Sequence, residues 1–180
     1  MVKTFKFVVQ SGLAGAALAC AASAWAQTPP PAPANPLDAV PEKMPFDVPY
    51  GAPISLERAD AVLNAALGEA KAKNWKLICA VVDSGANLVS LKRMDGAQLA
   101  SIDIAHHKAR TSAKFRRETK VFEGGIQGGL TYILTLDDVI ASRGGIPLVE
   151  GGKMIGAIGC SGGTGSQDEV AAKVGVALVK

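Results

Sequence analysis

The sequence predicts an α+β domain built on an antiparallel sheet, and three observations carry that prediction. Residues 77–82 form a continuous β-type apolar run that ends at the turn Asp83-Ser-Gly-Ala-Asn87, and residues 88–94 return from it with Val89 and Leu91 alternating against Ser90 and Lys92. Residues 146–149 and 154–158 form a second pair across Gly151-Gly152, a connection so short that its strands must be antiparallel. Helical patterns lie before, between and after these hairpins. Consecutive strands therefore lack helical crossovers, which excludes a doubly wound nucleotide-binding fold.

In chain order, Ser55 is the expected N-cap of a first helix whose stripe is Leu56, Ala59, Val62, Leu63, Ala66, Leu67 and Ala70. The first hairpin follows, then a second helix over residues 97–116. Residues 123–129 are too rich in glycine to read as anything but loop, and Thr135-Leu-Asp-Asp138 reads as the start of a short helical turn. After the second hairpin, Ser166-Gln-Asp-Glu169 reads as a capping box opening a last helix that runs nearly to Lys180. The glycine-rich Cys160-Ser-Gly-Gly-Thr-Gly165 before it suggests an anion cradle. The acids Asp168 and Glu169 in the first turn argue against phosphate, and the P-loop Lys-Ser/Thr ending is missing. Close-packing backbone is the reading of that loop, with the two acids meeting a neighbouring subunit or a cation.

Ahead of the domain, residues 1–26 read as a secretory signal peptide. Lys3 and Lys6 precede an apolar stretch, and Ala24-Trp25-Ala26 has the small-x-small form of a cleavage site. This places the mature chain in the periplasm or outside the cell, beginning near Gln27 and without stable membrane insertion. Cys20 suggests lipidation only weakly, because Ala17 stands where leucine is usual. Residues 27–53 hold nine prolines and read as a linker or strap, with Phe46, Val48 and Tyr50 able to pin its second half. Residues 54–180 make one small domain. Removing the two signal lysines leaves 19 − 2 = 17 basic against 16 acidic residues, a balance that gives no support for nucleic acid as a partner. Cys79 and Cys160 are open to two readings, a disulfide or buried thiols.

The chemistry-bearing residues gather on the second helix. His106 and His107 are the chain's two histidines, and neighbours on a helix point about 100° apart, so both do not serve one ion together. One of them suits axial ligation of a planar metal macrocycle, whereas the plain alternative is two structural or solvated histidines. Lys108, Arg110, Lys114, Arg116, Arg117 and Lys120 face only Glu118. Such a run is usually a solvated face, yet in a near-neutral domain it also suits carboxylates. No nucleophile elbow and no His-x-x-x-His spacing occurs, so no catalytic residue is assigned.

Several stretches together resemble the GlcG/HbpS-like haem-binding family, which includes the C-terminal module of PduO-type proteins. The block from Leu77 to Ala97 with Val81-Val-Asp83 and Arg93-Met-Asp-Gly-Ala97 resembles the family's signature strand pair. Ser101-Ile-Asp-Ile-Ala-His-His-Lys-Ala-Arg-Thr-Ser-Ala113 resembles its motif helix, and Gly144-Gly-Ile-Pro-Leu-Val149, Ile155-Gly-Ala-Ile-Gly159 and Ser161-Gly-Gly-Thr164 follow in order. The resemblance implies a profilin-like antiparallel sheet of about five strands flanked by helices, assembled as a homo-oligomer. It implies haem as the cofactor, with Lys108, Arg110 and Thr111 as cofactor-binding candidates. The histidine pair on that helix beside its basic cluster adds His106, as preferred axial ligand and metal-binding residue with Lys108 and Arg110 as propionate partners, and His107 as a further cofactor-binding candidate. The sequence thus reads as an exported, non-covalent haem carrier, store or sensor. The alternative is a small periplasmic enzyme or accessory protein that holds an organic acid, such as a glycolate-type carboxylate, on the basic helix.

Overall fold

A computed structural model describes residues 40–179 of the chain. The signal-peptide and lipidation readings, and the first part of the proline-rich segment, lie outside the described residues.

The elements run α1 (Leu56–Ala72), β1 (Ile78–Asp83), β2 (Leu88–Arg93), α2 (Ser101–Phe115), α3 (Lys120–Gln127), a 3-10 turn (Thr131–Thr135), β3 (Gly145–Glu150), β4 (Lys153–Ser161) and α4 (Gly165–Val176). The strands form one antiparallel sheet in the order β2-β1-β4-β3. The expected α+β architecture is therefore present, with four strands rather than about five. Where β1 ends, its place beside β4 is taken by the end of the proline-rich segment. Met154 N donates to Pro49 O and Gly51 N to Met154 O, both at 2.8 Å, making a single parallel bridge between Tyr50 and Met154. Proline at every fourth position denies that segment the N–H groups of a full strand.

Alternation along β1 assigns the two faces of the sheet. Cys79 and Val81 point to one side, into a core with Leu63, Ala66, Ile158 and Ala172 from α1, β4 and α4. Ile78, Ala80 and Val82 point to the other, where Ala105, Ala109 and Ala113 of α2 cover them. The small residues on that side matter, because α2 lies almost on the backbone of the sheet. A Cβ on Gly159 would stand 2.2 Å from Ala105 O, and one on Gly145 would stand 2.4 Å from Lys108 O. Only glycine at those two positions lets the helix sit so close.

Cys79 and Cys160 face each other across β1 and β4 and form a disulfide with no exposed surface, which settles the choice the sequence left open. Ser55 caps α1 as expected, its hydroxyl accepting from Arg58 N at 3.4 Å. Four local expectations are corrected. The capping box of α4 is Thr164 with Gln167, not Ser166 with Glu169, so the helix starts at Gly165. Residues 120–127 are helical despite Gly124-Gly125, because Gly125 admits Ile133: a Cβ there would stand 2.5 Å from Ile133 Cδ1. The short turn lies at Thr131–Thr135, upstream of the position expected. Helix α2 begins at Ser101 rather than near residue 97.

Candidate functional site

Helix α2 presents two kinds of surface. Its inner side faces the sheet, and its outer side carries His106, His107, Arg110 and Lys114. The inner side holds Lys108, only 1 % exposed, whose Nζ meets Asp168 Oδ2 at 2.8 Å. Burial pushes the Asp168 carboxyl above its ordinary value even with that ammonium beside it. Lys108 therefore does not line an open pocket as the family resemblance implied; it ties α2 to α4 through the core. Asp168 also accepts from Gly163 N at 3.1 Å, and Thr164 N donates to Gln167 Oε1 at 2.8 Å. These N–H groups of the glycine-rich loop are thus taken internally. Glu169 is likewise held within the chain, by Lys120, Lys173 and Arg143.

Thr111 is also buried. Its hydroxyl donates to Asp138 O at 2.7 Å and accepts from Ile140 N at 3.1 Å. It does not reach the cleft, but it fixes the loop that brings Asp138 there. Asp138 adopts a left-handed backbone, φ 61°, and its carboxylate receives Arg110 at 2.7 Å and also Lys114. Those cations hold the carboxyl below its ordinary value, with the Lys114 hydrogen bond the larger cause. Sequence reasoning missed Asp138 as a site residue. Its signal, an acid in a loop some 28 positions beyond Arg110, has no fixed spacing to read.

Two clefts flank the outer face of α2. One, of about 230 Å³, is lined by Asp103, His106, His107, Arg110 and Asp138. The other, of about 340 Å³, lies between the β1–β2 turn around Ala86 and the side chains of His106, Arg110 and Lys114. The turn is rigid because Asp83 Oδ1 accepts from Gly85 N at 2.8 Å and Asn87 N at 2.9 Å. His106 and Arg110 are common to both clefts. The charge is divided: acids accompany the first cleft, and cations dominate the second.

The histidines themselves carry the sharpest observation. Nε2 of His106 and Nε2 of His107 are buried with no hydrogen-bond partner among the described residues. Buried polar atoms are nearly always paired, so an unpaired imidazole nitrogen on a residue that lines a cleft is suited to a ligand that supplies the missing bond. Burial, and next the charge of Arg110, hold His106 below its ordinary pKa of 6.5. It is therefore neutral at neutral pH, the form that coordinates metals. A neutral imidazole with an unpaired Nε2, beside unequal numbers of cations and carboxylates, fits a haem-type group: one nitrogen for iron and two basic side chains for propionates. Among the described residues no group of three or more His, Cys, Asp and Glu is arranged to hold a bare metal ion.

Comparison with known proteins bears on this site. The family described as haem degrading protein HbpS-like matches residues 54–177. Protein GlcG of Escherichia coli K12 is 40% identical over 108 residues, 60% of this chain and 81% of that protein. A solved PduOC:haem complex superposes with a TM-score of 0.65 at 25% identity, covering 72% of this chain and 96% of the other. An HbpS variant from Streptomyces reticuli superposes with a TM-score of 0.68 at 25% identity, covering 79% and 97%.

Proposed function

The chain belongs to the HbpS-like family, and from that membership and the His106 clefts we propose that it is an exported, non-covalent haem-binding protein. Its role is that of a haem carrier, store or sensor. The observation that carries the reading is the unpaired, buried Nε2 of His106 at the junction of two clefts. The likeness to a protein solved with haem supports it.

In this reading His106 would hold the haem iron, and Arg110 with Lys114, which line the second cleft, would receive the propionates. Asp138 keeps those two cations spaced and in place, and Thr111 keeps Asp138 there. Lys108 acts from below, locking the helix to α4 so that His106 does not shift. His107 lines the first cleft and provides a second nitrogen on the other side of the helix face. Bound haem would supply a redox-active iron; this chain would supply a neutral donor and a charge pattern.

Export is supported by the signal-like pattern of residues 1–26. No helix among the described residues is long and apolar enough to cross a membrane. Self-association is supported by Val170 and Val174, 41% and 37% exposed one turn apart on α4. The test is a haem titration of the chain followed by its Soret band. The single variant His106→Ala abolishes the band if the reading is right. An unchanged band in the double variant with His107→Ala defeats it.

A further inference from the structure

A third cavity, of about 370 Å³, lies away from the histidines, between the end of α2, helix α3 and the 3-10 turn. Its walls are Phe46, Phe122, Leu130 and Ile133, and its polar groups are Arg117 and Tyr132. Gly125 contributes no side chain to the wall, and Ile133 packs closely against it.

Arg117 is the unusual member. Its guanidinium lies 3.1 Å from the ring centre of Phe46 and 5.4 Å from that of Phe122. Its Nε donates to Phe115 O at 3.0 Å, which fixes the plane of the group. Arg58, Arg110 and Arg143 each meet a carboxylate. Arg117 meets none within salt-bridge distance among the described residues, so its two terminal nitrogens remain available. The group is half-buried, gripped by aromatic rings and pinned at one edge. An unpaired cation held in this way, at the mouth of an apolar chamber, is preorganised for an anion whose remainder is hydrophobic.

We propose that this cavity is a second ligand site, for a small monocarboxylate with an aromatic or branched apolar body. The carboxylate pairs with the free edge of Arg117 and the body enters between Phe122, Leu130 and Ile133. Phe46, carried by the segment that bridges to β4, forms the outer wall of the entrance. The site shares no lining residue with the two histidine clefts. Its occupancy is therefore separable from haem binding.

Calorimetry on the full chain with cinnamate, cinnamyl alcohol and acetate tests the proposal. Cinnamate binds one per chain, the alcohol at least about tenfold more weakly, and acetate gives no heat, since each lacks one half of the recognised chemistry. Arg117→Gln brings cinnamate down to the affinity of the alcohol without changing the alcohol, whereas Arg93→Gln, an equal charge loss on exposed β2, changes neither. Amide chemical-shift mapping on the unaltered chain guards against a misfolded variant: cinnamate moves the signals of Phe122, Gly125 and Ile133. The proposal is overturned by absence of cinnamate binding, by equal affinity for acid and alcohol, or by shifts centred on His106.

Discussion

The two sides of α2 treat the same residue types in opposite ways. On the inner side a lysine is sealed in the core, matched by one carboxylate at 2.8 Å. On the outer side an arginine and a lysine share the single carboxylate of Asp138, and an imidazole nitrogen has no partner among the described residues. The inner side is complete; the outer side is not. A closed set of partners serves architecture, because any unpaired charge there would be costly. An open set, at the rim of a cleft, is what a ligand can complete.

Breaking the inner pair gives the largest expected effect. Lys108→Met strands Asp168 in the core and lowers unfolding free energy by about 3–5 kcal/mol, read by chemical denaturation. The double variant with Asp168→Leu recovers most of that loss, because both charges then leave together. Next comes Asp138→Asn on the outer side. Asparagine tolerates the left-handed backbone, so stability falls by only about 0.5–1 kcal/mol, while Arg110 and Lys114 lose the carboxylate that positions them and, on the proposed function, haem affinity falls. His106→Ala is smaller still for folding, within about 0.5 kcal/mol, since no hydrogen bond is lost, yet on the proposed function it removes haem binding.

The finest test is pH. His106 is held below its ordinary 6.5, so the folded chain binds fewer protons at that group than the unfolded chain does. The stability it contributes is full above 6.5 and is lost as pH falls through the depressed value. On the proposed function, haem affinity follows the same neutral imidazole, with its midpoint below 6.5. Arg110→Gln moves that midpoint upward but not fully back, because burial is the larger cause and remains. A midpoint above 6.5 in the unaltered chain would contradict this account.

Local patterns were legible in the sequence where neighbours in the chain are neighbours in space. The stripe of α1, its Ser55 cap and both hairpins are of that kind. The same logic failed at α3, where the glycines that signal a loop serve tertiary packing against Ile133. At α4, Thr164-Gly-Ser-Gln167 and Ser166-Gln-Asp-Glu169 both have the form of a capping box, and burial of Asp168 against Lys108 favours the earlier register. His106 and Arg110 were legible as site residues because one helix carries both. Lys108 was misplaced, since its partner lies 60 residues away, and Asp138 was invisible because a loop turns it back onto the helix.

The pairing of β1 with β4 also has a consequence for the order of events during synthesis. The Cys79–Cys160 bond joins strands 81 residues apart, at the centre of the sheet. Until β4 has emerged, β1 has a partner on one edge only, and α2 lacks half the floor on which it lies. Closure of such a non-local pair is slow compared with helix or hairpin formation. The central pair of the sheet therefore stays open until residues 153–161 have been made. The disulfide then fixes the contact that formed last.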